Sequence, residues 1–156
     1  EQVRLALAIR DDFNKLSGAV EQTRAIRKQL QARNVLIKDI DWAKPLAKAS
    51  TELVTKLDAI EGKLHNPKAQ VTYDILAMKG GAQLYSNLGW LYSALLSGDG
   101  PPTEGMREAA KRLNAELTAR LGEFQSLQEK DLAELNRQAR TLELPHVIVP
   151  PVKPAP

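Results

Sequence analysis

Residues 53–64 read LVTKLDAIEGKL, with Leu53, Leu57, Ile60 and Leu64 at steps of four, three and four. Residues 84–95, LYSNLGWLYSAL, repeat the pattern with Leu84, Leu88, Leu91 and Leu95. Such spacing places apolar side chains on one stripe of a helix, and a stripe of that kind is stable only when something covers it. Two further stripes flank these. Ile9, Phe13, Leu16, Val20, Ile26 and Leu30 mark a helix over about Val3 to Arg33, and Met106, Ala110, Leu113, Leu117, Leu121, Phe124, Leu132, Leu135, Ala139 and Leu142 mark a last one. Short loops between stripes predict neighbours that run in opposite directions. The expected fold is therefore all-α, an antiparallel up-down-up-down four-helix bundle with longer first and fourth helices and an extended Pro-rich C-terminal tail. The surplus length at one end predicts a two-helix stalk.

Local signals divide the stripes. Residues 34–40 break the period and read as a loop with apolar anchors. Asp41 is placed to cap the second helix, and Pro45 fits its first turn, where amides lack partners in any case. Asn66-Pro67 ends that helix. Thr72 is placed to cap a third helix containing Gly80-Gly81, an internal pair that predicts a kink or a close crossing. Gly18 in the first helix likewise suggests a close approach. Ser97-Gly98-Asp99-Gly100-Pro101-Pro102 is the strongest loop signal, followed by Thr103 as the cap of the fourth helix. The expected organisation is a helical domain over residues 1–144 and a tail over 145–156, with residues 153–156 mobile.

The bulk composition excludes more than it assigns. With 156 residues, 43% hydrophobic and 26% charged, the chain is long enough for one real core. A net charge of +3 from 22 basic and 19 acidic residues, without basic stripes interleaved with aromatics, gives no reason to expect nucleic acid. No cysteine is present, which removes disulfides, thiol catalysis and thiolate metal sites. No apolar run reaches the roughly 18 residues of a membrane span. Because Glu1 is not an initiator Met, a fragment or processed product is expected, with any targeting signal upstream.

Catalytic patterns are scarce. Glu61 and His65 stand four apart on one helix, but a second copy is missing and a surface pair is the plainer reading. Glu123, Glu129, Asp131 and Glu134 read as a solvated face beside Lys130 and Arg137. His146 has no visible partner. Neither glycine-rich segment follows a strand as a phosphate loop must. No catalytic, cofactor or metal residue is assigned. The candidate surface is aromatic and apolar. Trp42, Tyr73, Tyr85, Trp90 and Tyr92 are candidate interface anchors, with Tyr85, Gly89 and Tyr92 on one face and Trp90 on another. Val147, Ile148 and Val149 are too apolar for a free linker and are expected to pack on the bundle or on a neighbour.

The stretch LHNPKAQVTYDILAMKGGAQLYSNLGWLYSALLSGDGPPTEGM, residues 64–106, resembles the C-terminal helical region of large bacterial proteins built on BNR-type, sortilin-like β-propeller repeats, often labelled glycosyl hydrolases. Asn66-Pro67-Lys68, Tyr73-Asp74-Ile75-Leu76, Leu84-Tyr85-Ser86, Gly98-Asp99-Gly100 with Pro102-Thr103, and Leu144-Pro145-His146 carry the likeness. The resemblance implies a non-catalytic accessory domain that packs on a propeller of the same parent chain or mediates assembly with another subunit or another copy. It implies a periplasmic or extracellular setting in bacteria, with a cytoplasmic one left open. Propeller motifs of the Ser-x-Asp-x-Gly-x-x-Trp kind do not occur here, so no family site residue carries over. Two other readings remain: an extracytoplasmic ligand-sensing bundle, which needs flanking membrane helices and a polar pocket near Tyr73 and Tyr85, and an enzyme or metal protein with inward His and Glu.

Overall fold

A computed structural model describes residues 1–69, 74–75 and 79–152. Among them there is no strand. The helices are α1 (Gln2–Ile37), α2 (Lys44–Leu64), α3 (Leu84–Leu96), α4 (Glu104–Ser126) and α5 (Ala133–Thr141). A π-helical turn, Leu127–Leu132, joins α4 to α5 without a break, so these elements make four helical rods among the described residues, the first and last of them long; Asp74 and Ile75 are helical as well.

The direction of each rod follows from its bonds. Along α1, Arg24 and Arg27 meet Glu61 and Asp58, Arg33 meets Ser50, and Asn34 meets Ala47, so α2 runs opposite to α1. Gln2 donates to the carbonyl oxygens of Leu95 and Gly98, whereas Phe13 lies edge-on to Tyr92 and Tyr85, so α3 also runs opposite to α1. Glu1 pairs with Arg107 and Asp12 with Asn114, so α4 runs with α1. The order expected from short loops is therefore corrected. Helices α2 and α3 point the same way and lie end to end, with His65 at the end of one ring-to-ring with Tyr85 at the start of the other.

Lengths explain why this closes. At 1.5 Å per residue α1 is about 54 Å long, and α2 with α3, of 21 and 13 residues, cover about 50 Å. The middle pair thus flanks α1 along its whole length and leaves no stalk. The expected third helix is interrupted before Leu84. Gly80 and Gly81 are not helical at all: both take left-handed backbone (φ 91° and 69°) in the approach to α3. The buried Asn66 carboxamide holds that approach, donating to the carbonyls of Lys79 and Gly81 at 2.8 Å. A Cβ on Gly80 would come within 3.0 Å of that carboxamide. Thr72 lies outside the described residues.

The seam of α1 is a heptad. Ile9, Asp12, Leu16, Ala19, Thr23, Ile26, Leu30, Arg33 and Ile37 are buried at alternating steps of three and four. Helix α2 answers with Leu46, Ser50, Leu53, Leu57, Ile60 and Leu64. An average step of 3.5 keeps one line of side chains facing the partner when helices coil about each other. The last rod breaks the count once. Phe124 and Leu132 are both buried eight residues apart, where a heptad allows seven. The π turn takes up the extra residue, so that α4 and α5 both face the core.

Ends and caps hold two further differences from expectation and one agreement. Helix α1 continues to Ile37, leaving Val35 and Leu36 exposed and only Ile37 buried. Asp41 caps nothing; it opens a 3-10 turn and pairs with Lys44 at 2.5 Å. Thr103 does cap α4, accepting from the Met106 amide at 3.2 Å.

Candidate functional site

Three layers of polar side chains cross the seam of α1, and sequence reasoning missed all three because their partners lie on other helices; Glu61 was singled out, but beside His65. In the first, both Asp12 oxygens accept from Asn114 Nδ2 at 2.9 Å, and Lys15 stands 3.6 Å away. In the second, buried Glu61 takes Arg24 Nε at 2.7 Å and Arg27 Nη1 at 2.8 Å, and Arg27 also reaches Asp58. Burial disfavours the Arg27 charge, but Asp58 and Glu61 more than offset it and raise its pKa above the usual value. In the third, buried Arg33 donates to Ser50 Oγ at 2.9 Å and to the Pro145 carbonyl at 3.0 Å. Among the described residues no carboxylate pairs with it and its Nε has no partner, and burial lowers its pKa. Glu61 is thus no surface partner of His65, since arginines take both of its oxygens. Among the described residues no group of three His, Cys, Asp or Glu gathers as metal ligands do.

The expected solvated face on the last rod partly bridges helices. Glu123 meets Lys63 of α2 and Arg120 of its own helix; the Lys63 hydrogen bond chiefly, with help from Arg120, lowers its pKa against burial, which raises it. Asp131 pairs with Lys56 of α2. Glu134 meets Arg137, and hydrogen bonds from Arg137 and then Gln138 hold its carboxyl down at about 2.

The candidate contact residues separate into three groups. Tyr85 and Tyr92 turn toward Phe13, at ring distances of 5.2 and 6.3 Å, and fasten α3 to α1. A Cβ on Gly89 would meet the same Phe13 ring at 3.8 Å, so the shared face expected for Tyr85, Gly89 and Tyr92 is the one seen. Trp90 stands apart on α3 and is 49% exposed, and Trp42, on the 3-10 turn at the other end of the rod, is 57% exposed. Val147 is buried, Val149 is half-buried and Ile148 faces solvent. Tyr73 lies outside the described residues.

Further exposed apolar side chains stand in both halves of the rod. Val35 and Leu36 are exposed on the last turn of α1, a few residues before Trp42. Val3 and Leu7, one turn apart at the start of α1, are exposed at the end where Gln2 holds the last turn of α3 and where Leu96 is also exposed. Where α2 gives way to α3, a cleft of about 260 Å³ opens on α1, lined by Leu16, Ser17, Val20, Glu21, Arg24, His65 and Tyr85.

The segment 145–152 lies on the rod. Asn136 and the Val147 backbone exchange two hydrogen bonds, of 2.7 and 2.8 Å, and Gln29 does the same with Ile148 at 2.9 and 2.7 Å. Gln22 donates to the Pro150 carbonyl at 2.8 Å. Val152 covers Gly18 so closely that an added Cβ would stand 2.8 Å from it, which makes the tail, not a helix, the close approach at this glycine.

Among the described residues no helix is long and apolar enough to cross a membrane. No protein family, curated protein or solved structure matches this chain.

Proposed function

We propose that this chain is a non-catalytic helical accessory domain, the C-terminal part of a larger exported bacterial β-propeller protein of the BNR-repeat, sortilin-like kind, and that it packs on that propeller or joins subunits. One observation supports this reading best: both tryptophans stand about half exposed, Trp42 on the 3-10 turn before α2 and Trp90 midway along α3 in the other half of the rod. Large aromatic surface held in water is costly unless a partner covers it, and Trp is a favoured anchor of such contacts. Val35 and Leu36, a few residues before Trp42 in the chain, and Val3, Leu7 and Leu96 in the half that carries Trp90 are exposed as well.

The test uses the two tryptophans as their own probes. Iodide quenching of this chain alone is compared with quenching of the longer parent polypeptide made non-fluorescent elsewhere by Trp→Phe changes. The reading expects at least one of Trp42 and Trp90 to become inaccessible and to shift its emission to the blue in the longer protein. Equal quenching of both in the two proteins would remove it.

The cleft beside His65 and Tyr85 favours the second reading, a ligand-sensing bundle. Its floor is apolar, and Ser17, Glu21, Arg24 and His65 supply polar groups that converge on it. Saturable binding of a small polar ligand, lost on Arg24→Ala, would move the proposal to that reading.

A further inference from the structure

We propose that residues 145–152 exchange between copies: the groove that α1 and α5 offer this segment takes the same segment from a second copy of the chain, giving a reciprocal tail-swapped dimer. The reading does not depend on the contact surfaces above. A chain whose tryptophans dock nowhere would still exchange tails.

The first support is the way the segment is held. Asn136 and Gln29 each exchange paired hydrogen bonds with a backbone, as a neighbouring strand would, and Gln22 and Arg33 take two further carbonyls. Between Arg33 and Gly18 the segment descends along about 22 Å of helix, so each of its residues spans about 3 Å, the rise of an extended or polyproline chain. Pro145, Pro150 and Pro151 stiffen that conformation before it docks. A stiff extended peptide recognised through its main chain makes the same bonds whichever copy carries it.

The second support is the hinge. Only residues 142–144 connect α5 to the docked segment. They reverse the chain in a tight helix-ending turn, with Leu144 N–H donating to Ala139 O at 2.8 Å and Glu143 N–H to Arg140 O at 3.0 Å. The residue at the left-handed position of that turn is ordinarily glycine. Here it is Glu143, at φ 54°. Opening the turn releases that strain, and the groove contacts are all remade in the partner. Two-fold closure then leaves no groove empty, as in other exchanges of a terminal element.

The intact chain carries the test, and its lack of cysteine allows unique labelling. One population bears a donor at Ile148→Cys on the tail, and another an acceptor at Lys28→Cys on the exposed side of α1. Each is made with Glu143 retained, with Glu143→Gly and with Glu143→Pro. Pro cannot take the left-handed turn and lacks its N–H, so this variant loses the cis closure. The proposal expects Glu143→Pro to sediment as a dimer and to show donor-to-acceptor transfer on mixing, with Glu143→Gly monomeric and silent. A helical Glu143→Pro chain that stays monomeric overturns it. If that variant loses its helical circular dichroism, the chains with Glu143 retained decide. Transfer must then rise with protein concentration toward the about millimolar level at which a tethered and a free segment compete equally; none at that level overturns the proposal. A dimer formed through the tryptophan surfaces would be indifferent to residue 143.

Discussion

Beside α2, the seam of α1 carries Thr23 and Arg33 and is flanked by Arg24 and Arg27; beside α3 it carries only Asp12 among apolar and aromatic neighbours. The α2 half is held in register by charged hydrogen bonds and by the docked tail. The α3 half is held by ring contacts and by four buried leucines, Leu84, Leu88, Leu91 and Leu95. Charged layers make register specific but add little stability for their desolvation cost, whereas apolar layers do the reverse. A long helix can therefore serve two partners in tandem, meeting one through an apolar seam with added charged layers and the other through apolar and ring contacts.

The largest effects should come from leucines that are wholly buried in each half. Leu57→Ala and Leu88→Ala are each expected to cost about 2–5 kcal/mol. Their consequences should differ in extent. A helix of 13 residues is marginal without packing, so Leu88→Ala should strip hydrogen-exchange protection from α3 and spare α2. Leu57→Ala should lower protection across the rod. Equal loss in both helices for both variants would mean that the halves do not open separately.

Next come the charged layers. Glu61→Ala leaves two arginines facing a vacated site, but both can reach water, so a loss of about 2 kcal/mol is expected in denaturant melts, below that for a fully enclosed pair. Asn114→Ala strips Asp12 of its donor and should cost about 1–3 kcal/mol. Arg33 should behave oppositely. No anion among the described residues pairs with its buried cation, so Arg33→Leu should raise stability by about 1 kcal/mol while exposing the tail to protease. A loss of stability in that variant would show that its two hydrogen bonds outweigh its desolvation.

Glu143→Gly removes a side chain from left-handed backbone and should add about 0.5–1 kcal/mol. The smallest effect is that of Glu134, which is fully exposed. Its folded pKa of about 2 lies below the ordinary 4.5, so its contribution is fully present above 4.5 and is lost as pH falls through about 2. A carbon-detected NMR titration should place its midpoint near 2 and return it toward 4.5 in Arg137→Ala.

The steps of Leu53 to Leu64 and Leu84 to Leu95 disclosed two helices and their buried faces, and Thr103 disclosed a true cap. The heptad of α1 was present in the spacing but hidden, because Asp12, Thr23 and Arg33 read as surface residues until partners on other helices are known. The course of the chain was lost at Gly80-Gly81. Taking those residues as helical shortened the α2–α3 connection to a hairpin turn, and a hairpin implies reversal. With the glycines in the connection, residues 65–83 are long enough to leave direction free. Of the candidate site, the shared face of Tyr85, Gly89 and Tyr92 and the packing of Val147 on the bundle followed from pattern, although the two tyrosines meet Phe13 where interface anchors were expected. The backbone clamps of Gln29 and Asn136 did not, since a carboxamide gives no sequence sign of what it will bind.

The π turn between α4 and α5 bears on how such a rod tolerates change in length. A residue added to a regular helix rotates everything beyond it by about 100° and would swing the face of α5 out of the core. Here the misfit is confined to one wide turn, at whose level the buried Gln128 amide finds no acceptor. Deleting Gln128 should let the turn relax to ordinary α geometry with Leu132, Leu135 and Ala139 still inward. The helix would then tolerate a frame-preserving deletion there better than a point substitution at Leu132.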